Sequence, residues 1–190
     1  MKRIKGVSAS SGIAVGKAFL IGREEFSVVC KKISLEDKVF FGDQAWKDYT
    51  ISLKAKLLKG KLWYGYGIYF RSQDFKKTNA YIFQYDPGFF YILFKDGRLK
   101  IGKGAFLYRK VINGRQEFPF AIEPAPPGFK WKNVERQIKI EVKKNTFTTY
   151  IDNKKVLEAK DRQFKQGAIG LRTWWGSRAV FDNIKIKLHK

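Results

Sequence analysis

The stretch that decides the fold is Gly167-Ala-Ile-Gly-Leu-Arg-Thr-Trp-Trp-Gly-Ser-Arg-Ala-Val-Phe-Asp-Asn-Ile-Lys-Ile-Lys-Leu188. It predicts two β-strands joined by a short Gly-Ser turn. The first strand alternates Ile169 and Leu171 on one face with Arg172 and Trp174 on the other, and the second strand alternates in the same way. Because strict alternation places one face of a strand in a core and the other in solvent, both strands belong to a half-buried sheet.

The rest of the chain continues this pattern, with turn signals between successive alternating segments and no helical periodicity. Expected turns include Asp86-Pro87-Gly88 and a tight hairpin at Asp152-Asn153, and Glu117–Asn133 is expected to be one long irregular loop. The main predicted strands are Asp48–Leu58, Trp63–Arg71, Asn79–Tyr85, Phe89–Phe94, Arg98–Ile101, Leu107–Ile112, Arg136–Lys143, Thr146–Ile151 and Lys154–Ala159. The pattern predicts an all-β fold, most simply a two-sheet antiparallel sandwich.

The first part of the chain differs in character from the rest. Residues 1–38 begin with small residues and predict strands at Ala18–Gly22 and around Phe26–Ile33. We therefore expect an N-terminal segment, 1–38, that either adds strands to the sandwich or acts as a leader, followed by the sandwich domain, 39–190. The segment contains no small-x-small cleavage site, so we interpret it as mature sequence.

The charge is strongly positive, with 39 Lys and Arg against 17 Asp and Glu, a formal net charge of +22. Such a balance attracts polyanions, including anionic polysaccharides, cell-wall polymers and nucleic acid. The lysines alternate along predicted strands, as at Lys54 and Lys56, which is also typical of a solvated surface. Both interpretations stay open, and nucleic acid is the weaker one because no recognition motif accompanies the charge.

Several classes of site are excluded by composition. One cysteine, Cys30, excludes an internal disulfide and a cysteine-rich zinc site. One histidine, His189, excludes a histidine-based metal site and catalysis by a Ser-His or Cys-His pair. No apolar run is long enough to span a membrane.

Alternation also predicts which side chains share the outer face of a sheet. If the strands are neighbours, side chains that suit a sugar ring and its hydroxyl groups would converge there, with indole for stacking and guanidinium and amide groups for hydrogen bonds. The candidate ligand-binding residues are Tyr69, Arg71, Gln84, Arg172, Trp174 and Trp175. In the alternative interpretation, a loop such as Glu117–Asn133 covers this face and the arginine stems pack on aromatic rings.

Catalytic and metal-binding residues are less clearly indicated. Glycoside hydrolysis needs an acid and a second carboxylate, and no pair stands out among Asp86, Glu117 and Glu123, so no catalytic residue is assigned. The prediction is that no cofactor is needed. Asp152-Asn153 and Asp182-Asn183 offer oxygen ligands that leave Ca²⁺ open, although both pairs are also typical of turns.

Six segments occur in an order that resembles a known superfamily. They are Trp46–Thr50, Tyr66–Arg71, Tyr81–Asp86, Phe147–Asp152, Gly167–Trp174 and Phe181–Asn183. Together they resemble concanavalin A-like lectin/glucanase domains over about residues 39–190, particularly the 3-keto-disaccharide hydrolase-like branch, and more loosely the laminin G-like domains. The resemblance implies a jelly roll whose concave sheet binds glycans, sometimes with Ca²⁺. The Glu-x-Asp-x-x-Glu strand of many glucanases in this superfamily is missing here.

A second resemblance covers only residues 4–38. The segment Ile4–Phe19 is similar to the start of phosphoenolpyruvate-protein phosphotransferase, enzyme I of the sugar phosphotransferase system. Ser11 stands where that family usually has proline, and the phosphohistidine motif is absent. Phosphotransfer is therefore not implied.

Three functions follow as hypotheses. The first is a non-catalytic glycan-binding or adhesive module, extracellular or on the cell surface, whose partner is an oligosaccharide or polysaccharide, with anionic or cell-wall polymers favoured by the charge. The second is a glycoside hydrolase acting on ordinary or 3-keto disaccharides. The third is polyanion or nucleic-acid binding through the basic surface, for which we expect affinity to fall steeply with salt.

Overall fold

The computed structural model describes residues 8–10, 25–28, 33–35, 38–59, 65–93, 97–174 and 177–189. None of these residues lies in a helix, and two antiparallel sheets account for most of them. The strands, in chain order, are β1 (Ser8–Ser10), β2 (Glu25–Val28), β3 (Ile33–Leu35), β4 (Lys38–Phe41), β5 (Tyr49–Lys59), β6 (Tyr66–Asp74), β7 (Asn79–Leu93), β8 (Leu99–Ile112), β9 (Arg115–Gln116), β10 (Ala121–Pro124), β11 (Glu135–Lys143), β12 (Thr146–Ile151), β13 (Lys154–Lys160), β14 (Ala168–Thr173) and β15 (Arg178–Leu188).

Strand order differs from chain order in both sheets. The eight-stranded sheet runs β1-β4-β14-β6-β7-β8-β10, with β9 also paired to β8. The seven-stranded sheet runs β13-β12-β11-β5-β15-β2, with β3 also paired to β15. The predicted all-β, two-sheet antiparallel sandwich is confirmed.

The core lies between the sheets because each strand turns its apolar alternate positions toward the other sheet. Ile51 on β5 is fully buried, as predicted. Aromatic side chains of the two sheets interlock in the core: the ring centroid of Phe147 on β12 lies 4.9 Å from that of Phe70 on β6 and 4.6 Å from that of Tyr81 on β7. Burying side chains of this size contributes roughly 2–3 kcal/mol each, so this aromatic layer stabilises the packing of the two sheets.

The predicted N-terminal segment contributes strands to both sheets. β1 pairs with β4, whereas β2 and β3 pair with β15. The predicted strand at Ala18–Gly22 lies outside the described residues, and the one predicted around Phe26–Ile33 corresponds to two short strands. The resemblance of residues 4–38 to the phosphotransferase and the division of the chain at residue 38 stay predictions.

Two expectations about connections are wrong. Asp86-Pro87-Gly88 is not a turn but a bulge inside β7, because Asp86 pairs with Ala105 and Phe89 already pairs with Lys103. Proline is tolerated at a bulge, where no ladder hydrogen bond is required of it. Segments predicted as separate strands are therefore joined in β7 and in β8. The predicted loop Glu117–Asn133 contains β10, which pairs with β8.

Beyond the bulge, β7 and β8 form a ribbon that we define as residues 89–93 and 97–103. In the part of the chain that the structure describes, these strand residues pair only with each other, from Phe89 with Lys103 to Leu93 with Leu99. The neighbouring strands β6 and β10 pair with β7 and β8 only on the other side of the bulge. The ribbon is thus a two-stranded extension of the eight-stranded sheet.

Candidate glycan-binding face

The outer face of the eight-stranded sheet brings together most of the predicted site residues. Arg172 lies opposite Gly67 on β6, and Gly67 lies opposite Gln84 on β7. Neighbouring strands are about 4.8 Å apart, so Arg172 and Gln84 flank Gly67 within roughly 10 Å of each other. Tyr69 lies on the same face two residues farther along β6.

One half of this face is apolar and closed. Phe40, Tyr69 and Ile82 are at most 1% exposed and form a cluster with Ala80 and Val111. Tyr69 is therefore not an open stacking platform as predicted. The burial instead places its ring in a rigid apolar layer from which only its hydroxyl group reaches the polar half.

Two glycines allow this layer to lie flat against the sheet. A Cβ atom at Gly67 would lie 2.5 Å from Cδ1 of Ile82, and one at Gly170 would lie 2.5 Å from Cδ1 of Phe40. Side chains from β7 and β4 thus pack directly over the backbone at these glycines, in the space that a larger side chain would fill. Any side chain at either glycine would displace the layer beneath the candidate site.

The other half of the face is a polar network around Gln84. Arg109 donates from Nε to Gln84 Oε1 at 2.9 Å and from Nη1 to the carbonyl oxygen of Glu117 at 3.0 Å. Gln84 Nε2 donates in turn to Gln116 Oε1 at 3.2 Å. Because Gln84 is only 3% exposed, it holds Arg109 in place more than it presents an amide to solvent. Sequence reasoning missed Arg109, although alternation along β8 would have placed it on this face.

Arg172 and Trp174 lie at the edge of the closed layer and are both half-buried. Arg172 Nη1 donates to Tyr69 Oη at 2.9 Å, which fixes the guanidinium group. The backbone of Trp174 is held by buried Ser177, whose hydroxyl accepts from the Trp174 amide and donates to the carbonyl oxygen of Gly65 at 2.8 Å. Trp175 lies outside the described residues.

Asp86 adds an acidic group to the same face of β7. Its side chain is half-buried, and Oδ1 accepts a hydrogen bond from the Gly88 amide at 2.8 Å. Burial raises the pKa of the Asp86 carboxyl above its ordinary value, against the opposing effects of that hydrogen bond and of the Arg109 charge. Burial also lowers the pKa of Arg109, and Asp86 counteracts this shift.

Arg71 does not join this face, contrary to the expected convergence. Its backbone is left-handed, with φ of 50°, and the pairing of β6 with β7 shifts register after Phe70. The side chain therefore turns away from the face of Tyr69 and is 2% exposed. It donates to the carbonyl oxygens of Lys47 and Phe164, at 3.2 and 3.1 Å. Arg71 is a structural clamp and contributes nothing to a ligand surface.

The predicted covering loop packs elsewhere. Phe129 and Trp131 lie against the core between the sheets, and the Trp131 ring is 4.6 Å from that of Tyr85. Of the carboxylates considered from the sequence, Glu123 on β10 lines a separate cavity of about 630 Å³ together with Glu158, away from Trp174. Glu117 approaches the polar network only through its backbone.

The turns considered for Ca²⁺ use their carboxylates locally. Asp152 accepts from Arg136 Nη1 at 2.8 Å and from the Gln137 amide at 3.0 Å, and Asp182 accepts from the Asn183 amide. Among the residues that the structure describes, no group of three or more His, Cys, Asp or Glu side chains could hold a metal ion. These turns therefore do not fit a calcium site.

Within the same described ranges, no helix has the length and apolar character needed to cross a membrane.

Three solved structures illustrate what this chain is similar to. The carbohydrate binding module CBM66 from Bacillus subtilis is 20% identical, with 98% of each chain covered and a TM-score of 0.60. The VIP36 exoplasmic/lumenal domain bound to Ca²⁺ and Man3GlcNAc is 9% identical, with 88% of this chain and 85% of that chain covered and a TM-score of 0.60. Sheep galectin-11 in complex with glycerol is 13% identical, with coverage of 82% and 95% and a TM-score of 0.53.

At these identities the likeness shows the fold alone, a jelly-roll sandwich. No curated protein matches the chain. The family model described as 3-keto-alpha-glucoside-1,2-lyase-like domain matches residues 34–187, most of the chain. The predicted 3-keto-disaccharide hydrolase-like branch is thereby confirmed, and the chain belongs to the 3-keto-α-glucoside-1,2-lyase-like domain family.

Proposed function

We propose that this protein is a glycan-binding module whose ligand lies on the outer face of the eight-stranded sheet. The observation that carries the proposal is the pair Arg172 and Trp174: both side chains are half-buried, Tyr69 holds the guanidinium group, and Ser177 holds the backbone of Trp174. An indole ring stacks on the apolar face of a pyranose ring, and a guanidinium group donates hydrogen bonds to the sugar's hydroxyl oxygens. Tyr69 and Gln84, which are almost fully buried, act by positioning Arg172 and Arg109.

The surrounding groups suit a sugar better than an apolar ligand. A guanidinium group has five N–H donors, and the bond from Arg172 to Tyr69 uses one of them. Asp86 on β7 and Arg109 on β8, two and three strands away from Arg172, add an acceptor and a donor farther along the face. Donors and acceptors beside one aromatic ring match the alternating hydroxyl groups of a saccharide, whereas an apolar ligand would leave them unpaired.

The charge favours an anionic glycan. A net charge of +22 raises the local concentration of acidic polymers and speeds their association. Uronic-acid or phosphate-bearing polysaccharides, such as cell-wall polymers, are therefore the proposed class, and an extracellular or cell-surface location follows from that class.

The test is affinity electrophoresis in gels containing neutral or anionic polysaccharide, followed by titration calorimetry on the positive polymers. We expect Trp174→Ala and Arg172→Gln each to weaken binding by about tenfold or more, as loss of a central stacking or charged contact does. Phe118→Ala and Arg162→Gln are matched controls, because both residues are exposed and lie outside the site. Equal retardation of all four variants would contradict the proposal, as would binding that vanishes entirely at moderate salt.

A catalytic alternative is favoured by Asp86 and by the family. A 1,2-elimination of a 3-keto-α-glucoside needs a base that takes the proton from C2, next to the ketone, while the bond from C1 to the leaving oxygen breaks. A half-buried carboxyl whose pKa is raised by burial, within reach of the Arg109 charge, suits proton transfer. Chromatography of 3-keto-α-glucosides and disaccharides incubated with the protein should then show turnover that Asp86→Asn abolishes and Glu123→Gln retains. Absence of turnover by the native protein would remove this alternative.

We further propose that residues 39–190 form the glycan-binding domain. The match of the family model to residues 34–187 supports this boundary. Expression of residues 39–190 alone should retain saccharide affinity if the N-terminal strands only extend the sheets. Loss of folding, measured by circular dichroism, would show instead that β2 and β3 are integral to the seven-stranded sheet.

A further inference from the structure

The ribbon beyond the bulge has an unusual outer surface. Four of the most exposed large apolar side chains lie on it, with exposed fractions of 45% for Phe89, 62% for Tyr91, 57% for Leu99 and 58% for Ile101. Tyr91 lies directly opposite Ile101 in the ladder, so the four side chains share one face. A contiguous apolar patch of this kind marks an interaction site more often than a plain surface.

The opposite face of the ribbon is packed against the sheet. Phe90 is 6% exposed and clusters with Ala105 and Leu107, while Ile92 and Ile122 pack beside them. A Cβ atom at Gly102 would lie 2.2 Å from Phe90, so the ring lies directly on this glycine. The packing anchors the ribbon and leaves the face of Tyr91 and Ile101 turned outward.

The charged side chains among the ribbon's described residues are all basic. Arg98, Lys100 and Lys103 are exposed, and they are the only charged side chains among the ribbon's described residues. Lys103 lies opposite Phe89, at the base of the apolar face, whereas Lys100 lies opposite Ile92 and therefore on the other face of the ribbon, where its side chain is exposed. The ribbon therefore combines an apolar centre with a basic margin, on a chain whose net charge is +22.

We propose that the ribbon docks on an anionic lipid bilayer, with Phe89, Tyr91, Leu99 and Ile101 entering the headgroup region and the basic residues contacting lipid phosphates. Insertion of an amphipathic element to a depth of roughly 5–10 Å needs an apolar face combined with cationic flanks. The ribbon's described strands span about 13 Å, which is enough for that depth. The four apolar side chains lie on the side of the ribbon opposite Phe90, which packs on the outer sheet face with Leu107, so they are not part of that face.

The same features argue against other occupants. Leu99 and Ile101 offer a saccharide no hydrogen bonds, and a sugar-binding surface needs polar partners beside its aromatic rings. A second copy of this chain would bring another basic margin against the first, at a distance where like charges repel. An anionic bilayer satisfies both the apolar centre and the cations.

The experiment is sedimentation of the full chain with vesicles of phosphatidylcholine, with or without an equal part of phosphatidylglycerol. We expect binding to the anionic vesicles only, and a loss of about tenfold or more in partition for Tyr91→Ser with Ile101→Ser, since several buried carbons are removed. Phe118→Ser is the control for loss of an exposed aromatic ring, because Phe118 is 92% exposed outside the ribbon. Circular dichroism and thermal unfolding verify that each variant folds.

A second pair of variants separates the ribbon from the general positive charge. Lys100→Glu with Lys103→Glu and Lys185→Glu with Lys187→Glu change the net charge equally, and all four residues are exposed. We expect the first pair to lose about tenfold or more, because each cation near the bilayer contributes comparably, and the second pair to lose far less.

Three outcomes would overturn the proposal. The first is no binding of the native chain to anionic vesicles. The second is equal losses from the two charge-reversal pairs, which would assign binding to overall charge. The third is a native dimer, detected by light scattering, that Tyr91→Ser with Ile101→Ser converts to a monomer without changing lipid binding.

Discussion

The clamp at Arg71 allows a prediction whose size follows from its contacts. The guanidinium group is 2% exposed and donates to the carbonyl oxygens of Lys47, Lys144 and Phe164 and to the carboxylate of Asp48, 3.2 Å away. Arg71→Leu fills similar space but leaves these four acceptors without the donor. A buried acceptor that loses its partner costs roughly 1–3 kcal/mol.

The acceptors are not equally affected. Asp48 and Lys144 lie near solvent and can regain water, whereas the Phe164 carbonyl belongs to a buried contact. We therefore expect Arg71→Leu to lower the free energy of unfolding by about 3–5 kcal/mol, the range for removing one partner of a buried ion pair. For a chain of this size that corresponds to a fall in Tm of roughly 6–20 °C. Arg71→Lys should lose less but still measurably, because an ammonium group cannot serve several divergent acceptors.

The assay is urea unfolding followed by circular dichroism, with Arg172→Leu as the matched control. Arg172 is half-buried and its hydrogen bond joins it to one side chain, Tyr69, so its loss should cost at most about 1 kcal/mol. The reasoning would be refuted if Arg71→Leu cost no more than Arg172→Leu. Loss of saccharide binding by Arg71→Leu with an unchanged free energy of unfolding would also refute it, because that result would indicate that Arg71 contacts the ligand.

Three further predictions concern stability. Burial opposes ionisation of Asp161, but hydrogen bonds, that of Tyr81 first, lower its pKa below the ordinary value. Asp161→Asn should therefore lower the free energy of unfolding by about 1–3 kcal/mol at pH 7. Urea unfolding across pH should show this loss shrinking as the pH falls below about 4, where the native carboxylate becomes protonated. The pKa of Asp86 is raised, so its charge destabilises the folded state, and Asp86→Asn should raise the free energy of unfolding at pH 7. Below about pH 4 the native carboxyl is protonated and the gain should disappear. A lower free energy of unfolding for Asp86→Asn at pH 7 would contradict this prediction. Gly104→Ala should lower Tm, because φ is 78° and the new Cβ would lie 2.6 Å from the Trp131 ring; an unchanged Tm would show that the ring moves freely.

Alternation alone predicted the regular parts of both sheets. The inward positions of β5 and the opposite faces of Ile82 and Phe83 on β7 are as the sequence indicated, because in a paired strand every second side chain faces the core. Arg172 and Tyr69, which lie on different strands, share a face as expected and are hydrogen-bonded. Local pattern is sufficient wherever the strands are regular.

Irregular positions could not be predicted in the same way. The bulge at Pro87 and the left-handed residue Arg71 each shift the alternation. The Asp-Pro-Gly sequence marks an interruption but does not distinguish a bulge from a turn, and nothing in the local sequence marks Arg71. The burial of Tyr69 depends on Phe40 and Val111, which approach only in the folded sheet. The identity of the face was therefore predictable, whereas the exposure of each side chain on it was not.

The acceptors of Arg71 also bear on how the chain folds. They lie 24, 73 and 93 residues away along the sequence, so the hydrogen bonds close only when three distant segments have already met. Contacts with such long separations form late, since loop-closure entropy opposes them. The clamp should consequently slow unfolding without affecting folding. Its removal should accelerate unfolding in stopped-flow measurements and leave the refolding rate nearly unaltered.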